Sequence, residues 1–292
     1  MSADPFVDHR SLLFTVAYQM LGSAADAEDV VQETWLRWAD LGDAARNEVR
    51  DARAYLVRIV TRQALNRLRT LSRQREDYVG EWLPEPLLTS PDVAEDVELA
   101  ESVSIAMLTV LETLGPAERA VFVLREVFDV PYDEIAESVG KSSEAVRQIA
   151  HRARQHVSAR RPRTPVSRTE QQHVVERFLA AVNSGDLQGL MDVLAPDVVA
   201  IADGGGLAQA IRRPVEGAQQ VAALLSHLPK RAPGVRLATL LINGSVAIRI
   251  DPDGEFDTAL TFALEDGRIA RIYAIRNPHK LARLEQVAEL RR

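Results

Sequence analysis

The side chains best suited to chemistry lie on one helical stretch near the middle of the chain. They offer hydroxyl, amide, imidazole and guanidinium groups at steps of one, three and four residues, which share one face of a helix. Such groups suit base edges and phosphates, and they imply binding without covalent chemistry. The residues expected to contact duplex DNA are Ser142, Ser143, Glu144, Arg147, Gln148, His151 and Arg152.

Two helices joined by a tight turn must position this face. In the first, Ile135 and Val139 share one side, and Gly140 stands where a left-handed residue ends a helix. In the second, a serine caps the start, and an apolar stripe recurs at steps of three and four. The stripe consists of Val146, Ile149, Ala153 and Val157. This spacing predicts a DNA-binding helix-turn-helix, with an ordinary helical hairpin and a solvated outer face as the alternative.

A second basic surface is predicted on a long helix over residues 52–75, after a polar loop over 40–51. Almost no acidic residue interrupts its arginines before Glu76, whereas an ordinary surface helix mixes lysine and glutamate. The chain carries a net charge of −7, but its basic residues are segregated from its acidic ones along the sequence. A chain of this kind can bind DNA at two separate places and stay acidic elsewhere.

An acidic face is predicted on the helix that follows Ser23. Ser23 with Asp26 three residues later is typical of a capping box. The apolar side carries Trp35 and Trp38, and the outer side is polar. That outer side consists of Glu28, Asp29, Gln32, Glu33 and Arg37. No histidine or further carboxylate converges on it, so a protein-binding or solvated face is favoured over a metal site.

The composition excludes several classes of protein. Of 292 residues, 46% are hydrophobic and none is cysteine, which excludes disulfides and thiolate metal sites and fits a cytoplasmic protein. Neither a signal peptide nor an apolar stretch of membrane-spanning length is visible, so no membrane partner is expected. No cofactor and no metal are implied.

The region between the two basic surfaces contains a linker and two helices. Residues 77–93 hold three prolines and a glycine and are predicted to be extended, yet they include the apolar Trp82 and Leu83. Helices are predicted over 94–114 and 116–128, separated by Gly115-Pro116.

The second half of the chain has a different pattern. Two helices, over 170–183 and 187–194, precede a short strand, DVVAIAD, that ends in three glycines. A helix over 216–228 then leads to four predicted strands, with Asn243-Gly244 and Asp266-Gly267 as hairpin turns. These strands cover 235–242, 245–251, 256–265 and 268–275, and a last helix covers 279–290. Helices followed by a curved antiparallel meander make an α+β cone.

The order of these elements resembles the group IV, extracytoplasmic-function sigma factors of bacterial RNA polymerase. The resemblance covers about residues 6–161 and rests on DAEDVVQETWLRW and on LGPAERAVFVLREVFDVPYDEIAESVGKSSEAVRQIAHRAR. It implies that the first module grips core RNA polymerase and holds the melted −10 promoter element, and that the second reads the −35 element. The implied polymerase-binding residues are Asp29, Gln32, Glu33, Trp35 and Arg37. The implied −10 residues are Arg58, Arg62, Asn66, Arg67, Arg69 and Arg73.

The C-terminal half resembles the SnoaL-like branch of the nuclear-transport-factor-two superfamily. The motifs WLPEP, DGGG and NPHKL are similar to those of sigma factors with a SnoaL-like extension, the mycobacterial sigma J type. That resemblance implies an interdomain regulatory contact and no separate anti-sigma factor. Its residues are Trp82, Leu83, Pro84, Glu85, Pro86, Asp203, Gly204, Gly205, Gly206, Asn277, Pro278, His279, Lys280 and Leu281. Leu207 and His279 depart from the usual motifs, which have a basic residue and an aspartate there.

We therefore expect a multidomain protein with two all-α modules and a C-terminal α+β cone. The domains are residues 1–76 (region 2), 77–93 (linker), 94–161 (region 4), 162–168 (linker) and 169–292 (SnoaL-like). The expected partners are core RNA polymerase and promoter DNA, with a small-molecule ligand of the cone left open. The alternatives are a DNA-binding regulator with a ligand-sensing domain, and an enzyme whose candidate catalytic residues are Asp197, Asp203, His227 and Tyr273.

Overall fold

The computed structural model describes residues 4–76, 78–160, 167–227, 235–252 and 257–292, apart from the side chains of residues 43 and 72–76. The first module contains four helices. They are α1 (Pro5–Leu21), α2 (Ala24–Ala39), α3 (Gly42–Glu48) and α4 (Ala52–Glu76). The Ser23 hydroxyl accepts from the backbone N–H of Asp26 and caps α2 as predicted. The predicted loop over 40–51 is wrong in part, because α3 lies within it.

The linker and the helices after it are more broken than predicted. The elements are β1 (Leu88–Thr89), α5 (Pro91–Glu95), α6 (Val97–Val103), α7 (Ile105–Leu111) and α8 (Pro116–Phe122), followed by a π-helical turn, Val123–Val127. The predicted continuous helix over 94–114 is wrong, because Asp96 and Ser104 each turn the backbone extended and cap a new helix. The extended linker over 77–93 is only partly right, since β1 is extended but α5 begins at Pro91.

The helix-turn-helix prediction is confirmed. Its helices are α9 (Tyr132–Val139) and α10 (Ser143–Ser158). Gly140 ends α9 at φ +68°, a backbone conformation that side chains rarely adopt, and the Ser142 hydroxyl caps α10. The predicted apolar stripe of α10 is buried.

The C-terminal domain begins with two helices and continues as a sheet. Its elements are α11 (Arg168–Ser184), α12 (Leu187–Val193), β2 (Leu194–Asp203), β3 (Val215–Glu216), α13 (Ala218–Ser226), β4 (Arg236–Ile242), β5 (Ser245–Asp251), β6 (Thr258–Glu265), β7 (Arg268–Ile275), α14 (Pro278–Leu281) and β8 (Val287–Ala288). The predicted meander from β4 to β7 is confirmed. The predicted helix over 279–290 is wrong, because it ends at Leu281 and the chain continues to β8.

The described strands form one mixed sheet in the order β3-β2-β7-β6-β5-β4-β1-β8. β2 pairs in parallel with β7, and β1 pairs in parallel with β8, while the other neighbours are antiparallel. The linker strand β1 therefore extends the sheet of the C-terminal domain. This pairing makes the linker part of the domain's architecture instead of a free connection.

Three apolar clusters hold the molecule together. The two helical modules share one core, which also takes in Leu87 from the linker and Leu290 from the end of the chain. A second core lies between one face of the sheet and the helices α11, α12 and α13. The opposite face of the sheet carries Ala247, Ala259 and Ala263, whose small side chains let other elements approach. Linker residue Leu83 and residues of α7 and α14 pack on that face, so both faces of the sheet are covered.

Candidate nucleic-acid and polymerase interface

The predicted reading face of α10 is accessible to solvent. Glu144, Gln148 and His151 are exposed. Among the described residues, none of the three forms a hydrogen bond with the C-terminal domain. The Arg147 guanidinium lies 5.5 Å from the centre of the Tyr132 ring, on the preceding helix. Ser143 donates to the Asp133 carboxylate at 2.5 Å. The face is thus presented at the surface, with its arginine supported by an aromatic ring.

Around this face, Ser142 serves as the cap of α10 and is itself exposed. Arg152 is also exposed, and its Nε lies 3.9 Å from the Glu118 carboxylate of α8. Pairs this long and exposed add little to stability. Arg152 therefore remains largely exposed to solvent.

The predicted −10 surface of α4 lies against the helix-turn-helix. Arg58 donates to the Glu137 carboxylate at 2.8 Å, and Arg62 donates to the Glu137 carbonyl oxygen at 2.7 Å. Glu137 belongs to α9, so an acidic residue from another element pairs with arginines that α4 itself leaves without acidic neighbours. In this arrangement the helix-turn-helix occupies part of the surface expected to hold a DNA strand.

Other residues of the −10 set are in different surroundings. Arg67 donates to Asp26 at 2.6 Å and to Asp29 at 3.3 Å, and the Asp26 bond raises the pKa of Arg67. Asn66 and Arg69 are exposed and bond to each other at 3.4 Å. Arg73 lies in α4, but its side chain is outside the described residues. The tie to α2 means that Arg67 braces the first module.

The expected polymerase-binding face of α2 is solvent-facing. Asp29, Gln32, Glu33 and Arg37 are exposed, whereas Trp35 packs on Phe6 with ring centres 5.0 Å apart. Leu36, which the sequence analysis did not select, is 54% exposed between these polar groups.

A cleft of about 420 Å³ lies between α2 and α4. It is lined by Arg37, Asp40, Leu41, Tyr55, Arg58, Ile59, Arg62 and Gln63. Three guanidinium groups beside an aromatic ring are the combination that single-stranded nucleic acid requires.

The linker is buried from Leu83 to Leu87, and its first anchor is Asp203 at the end of β2. The fully buried Asp203 carboxylate accepts from the backbone N–H of Leu83 at 2.9 Å and from the Lys280 ammonium at 2.7 Å. Lys280 also donates to the Leu83 carbonyl oxygen at 2.5 Å and lies 4.1 Å from the centre of the Trp82 ring. The three sequence motifs therefore meet at one buried ion pair.

Tyr78 closes this anchor from the linker side. Its hydroxyl donates to Asp203 at 2.6 Å and accepts from the Asn277 amide at 2.9 Å. Burial, followed by the Asp203 hydrogen bond, raises the pKa of Tyr78. A Cβ on Gly205 would stand 2.2 Å from the Asn277 amide nitrogen, and the residue has φ +58°. Glycine is required there because the loop approaches both side chains.

The second anchor joins the linker to the first module. The Glu85 carboxylate accepts from the backbone N–H groups of Ala24 and Ala25 and from the Ser23 hydroxyl, so it caps α2 from outside that helix. The Tyr18 hydroxyl donates to the Glu85 carbonyl oxygen at 2.7 Å. Burial raises the pKa of Glu85. One residue of WLPEP thus holds the start of α2, while its neighbours hold the C-terminal domain.

The third anchor is Asn243, which the sequence analysis treated only as a hairpin turn. Its amide oxygen accepts from the backbone N–H of Leu87 at 2.8 Å. Its amide nitrogen donates to the Tyr18 hydroxyl and to the Val103 carbonyl oxygen, each at 2.7 Å. The β4–β5 turn is therefore bonded to the linker, to α1 and to α6 at once. Only the tertiary structure reveals this role, since Asn-Gly is a common turn sequence.

A buried arginine joins the two helical modules below the linker. Arg119 of α8 is 1% exposed and donates to the Gln19 carbonyl oxygen of α1 at 2.9 Å and to the Glu112 carboxylate. Burial lowers the pKa of Arg119 to about 9, so the guanidinium stays charged at neutral pH. Gly22 lies beside it at φ +67°, where a Cβ would stand 2.8 Å from the Trp82 ring. The sequence analysis did not select this arginine.

The remaining motif residues contribute less. Pro84, Pro86, Gly204 and Leu281 are buried, whereas Gly206, Pro278 and His279 are exposed. Leu207 is 60% exposed. The two departures from the usual motifs thus lie at the rim of the contact, outside its buried centre.

The candidate catalytic residues do not form an open site. Asp203 is occupied by the linker and Lys280, and Asp197 and His227 are exposed. Burial raises the pKa of Tyr273 to about 12 within an apolar cluster. Within the described part of the chain, no group of acidic or histidine side chains is placed to hold a metal ion, and no helix has the length and apolarity to cross a membrane.

Three protein families match this chain. Sigma-70 region 2 matches residues 6–74, sigma-70 region 4 matches 104–157, and a SnoaL-like domain matches 175–272. The chain is 37% identical over 297 residues to the ECF RNA polymerase sigma factor SigJ of Mycobacterium tuberculosis, covering 96% of this chain and 93% of that protein. It is 32% identical over 278 residues to the probable ECF RNA polymerase sigma factor SigI of the same species, covering 94% and 92%. The crystal structure of SigJ superimposes with a TM-score of 0.77 and 35% identity, covering 96% of this chain and 98% of that one.

Proposed function

Because this chain belongs to the extracytoplasmic-function sigma factors of RNA polymerase, we propose that its C-terminal domain controls how the two promoter-binding modules are presented. Sigma regions 2 and 4 are both present, so the chain binds core RNA polymerase and recognises a promoter. The observation that carries the proposal is the linker between those regions. It is buried from Leu83 to Leu87, and it bonds alternately to the C-terminal domain and to the first module.

The −35 element is read by the exposed face of α10. Glu144, Arg147 and Gln148 make base or phosphate contacts, with Ser142, Ser143, His151 and Arg152 beside them. A bidentate pairing with a base contributes about 1–3 kcal/mol of discrimination. Serine at the start of α10 permits close approach to the major groove.

The −10 strand is held by α4 and by the cleft beside it. Arg58 and Arg62 bind phosphates once Glu137 is displaced, and Tyr55 in the cleft offers a stacking surface. The Glu137 contact is exposed, so DNA displaces it at low cost. This closed packing, in which α9 lies against α4, therefore covers the −10 surface more than the −35 surface.

Core RNA polymerase binds the exposed face of α2, with Asp29, Gln32, Glu33 and Arg37 as polar contacts around Leu36. Glu85 caps this helix, so the linker bears directly on the polymerase-binding element. Because the polymerase is the partner, the protein acts in the cytoplasm. Control from within the chain makes a separate anti-sigma factor unnecessary.

The C-terminal domain acts by packing and performs no catalysis. Its relatives across the whole chain are sigma factors, which are not enzymes. Apolar side chains fill the space between its sheet and its helices, and the linker occupies Asp203. We therefore favour interdomain control over small-molecule sensing by this domain.

Multi-round transcription with mycobacterial core RNA polymerase tests the proposal. The template is the promoter region upstream of the protein's own gene, and the full chain is compared with full-length Trp82→Ala and Lys280→Met variants. We expect transcripts that depend on the added protein, and a several-fold difference between wild type and both variants. Leu187→Ala, at an exposed position of the C-terminal domain, is the matched control. Equal transcript yields and equal protease sensitivity for all four chains would refute interdomain control.

A further inference from the structure

The last six residues of the sequence begin at the edge of the sheet and continue onto the helical modules. Val287 and Ala288 form β8, which pairs in parallel with Leu88 and Thr89 of the linker. Leu290 is 5% exposed and belongs to the core that the two helical modules share. An apolar side chain from the end of the sequence is thus buried away from its own domain.

Polar contacts on both sides fix the same segment. Toward α1, the backbone N–H of Arg291 donates to the Thr15 hydroxyl at 3.0 Å, and Ser11 donates to the Glu289 carboxylate at 3.3 Å. Toward the helices that lead into region 4, Arg292 pairs with Asp96 at 3.3 Å and with Glu98. The segment therefore spans from region 2 to the start of α6.

We propose that residues 287–292 form a strap that holds region 2 and the entrance to region 4 in the closed packing. The groove that the strap fills, between α1, β1 and α6, is accordingly a peptide-binding surface. It offers a strand edge, an apolar socket for a leucine and two carboxylates for the arginine that follows two residues later. This proposal rests on the proposed function and names the element through which the C-terminal domain acts.

The residues of the strap contribute unequally to its attachment. Leu290 supplies the main attachment, because burial of a leucine outweighs exposed ion pairs. Arg292 and its two carboxylates are part-exposed and chiefly select the register. Val287 is 56% exposed and contributes through its backbone alone. Leu290→Ala should therefore open the groove, and Val287→Ala should leave it closed.

Hydrogen exchange measured on the full chain separates these variants. We expect the amides of β1 and α6 to exchange at least tenfold faster in Leu290→Ala and in a chain that ends at Gln286, and at the wild-type rate in Val287→Ala. A labelled synthetic peptide of residues 284–292, followed by fluorescence anisotropy, should bind the shortened chain and slow that exchange. The same peptide with alanine at position 290 should not. Rescue by the peptide distinguishes a vacated groove from a misfolded chain.

Transcription by the same proteins separates the strap from the proposed function. If strap variants match wild type in exchange and transcript yield while Lys280→Met alters both, the strap is overturned and interdomain control stands. If exchange rises in the strap variants but none of the variants changes transcript yield, the strap stands and interdomain control fails. Wild-type exchange in the shortened chain, with no peptide binding, overturns the strap outright.

Discussion

Replacing Asp203 with asparagine should be the most damaging conservative change at the linker. The side chain is fully buried and accepts four hydrogen bonds: from Tyr78, Leu83, Lys280 and Gly205. Asparagine has nearly the same shape, but it carries no charge and presents one acceptor oxygen and one donor nitrogen. The Lys280 ammonium, which is 11% exposed, would lose its charged partner, while its contacts with the Leu83 carbonyl and two aromatic faces would remain.

The magnitude follows from the burial of this pair. Removing one partner of a buried ion pair costs about 3–5 kcal/mol, because the other charge stays desolvated without compensation. Leu83 would also lose an acceptor that is charged, and hydrogen bonds to charged groups contribute about 1.5–3 kcal/mol. These effects overlap, so we expect a loss of about 3–5 kcal/mol in the free energy of unfolding.

Urea denaturation followed by tryptophan fluorescence measures this loss, since Trp82 lies against Lys280. Lys280→Met should cost a similar amount, and the double variant should cost less than the sum of the two, because no buried charge is left alone. Glu28→Gln, which removes the exposed Arg10–Glu28 pair, is the control and should cost no more than about 1 kcal/mol. A loss below about 1 kcal/mol in Asp203→Asn, or strictly additive single variants, would refute the assignment of a buried, coupled pair.

Three further predictions concern the modules around this pair. Gly22→Ala should destabilise the chain by about 1–3 kcal/mol more than Gly42→Ala in urea denaturation, because both glycines have positive φ but only the first lacks room for a Cβ; equal losses would contradict this. Burial raises the pKa of Glu85 above its ordinary value of 4.5. The stability that protonated Glu85 contributes is therefore fully present below pH 4.5 and is lost as the pH rises through the raised pKa. Glu85→Gln should remove that decline from the free energy of unfolding measured against pH. Curves of the same shape for the wild type and the variant would contradict this. Arg62→Ala should reduce the slope of log binding constant against log salt for holoenzyme and promoter by about 0.7–0.9, more than Arg67→Ala does; an equal slope would exclude a phosphate contact.

Local signals sufficed for the helix-turn-helix. Gly140, the serine cap and the stripe through Val146 are each decided within a few residues, and they agree with one another. The hairpin turns at Asn243 and Asp266 follow the same rule, since their left-handed backbone is a property of the dipeptide. The sequence therefore predicted these elements and their exposed faces well.

The features that the sequence did not predict are those set by contacts between distant parts of the chain. Leu281 and Leu284 have helical spacing and lie in one cluster, whereas Leu290 is buried in the core of the helical modules, and β1 offers the strand edge that draws the chain out. Helical spacing cannot show that an apolar stripe is shared between two cores. The same limit applies to α4, whose arginines meet acidic partners that come from α2 and α9.

The geometry of the linker explains how one short motif can govern both promoter modules. Leu83 is fixed to the C-terminal domain, Glu85 to the start of α2, and Leu87 to the β4–β5 turn, within five consecutive residues. With bonds this closely spaced, a shift of Leu83 displaces Glu85 as well, because the chain between them is a single proline in a buried extended segment. A change in how the C-terminal domain holds Asp203 and Lys280 must therefore reach the cap of α2, the helix proposed to bind polymerase. The control proposed for this sigma factor needs no contact between the C-terminal domain and the −35 reading face, which leaves that face exposed for promoter DNA.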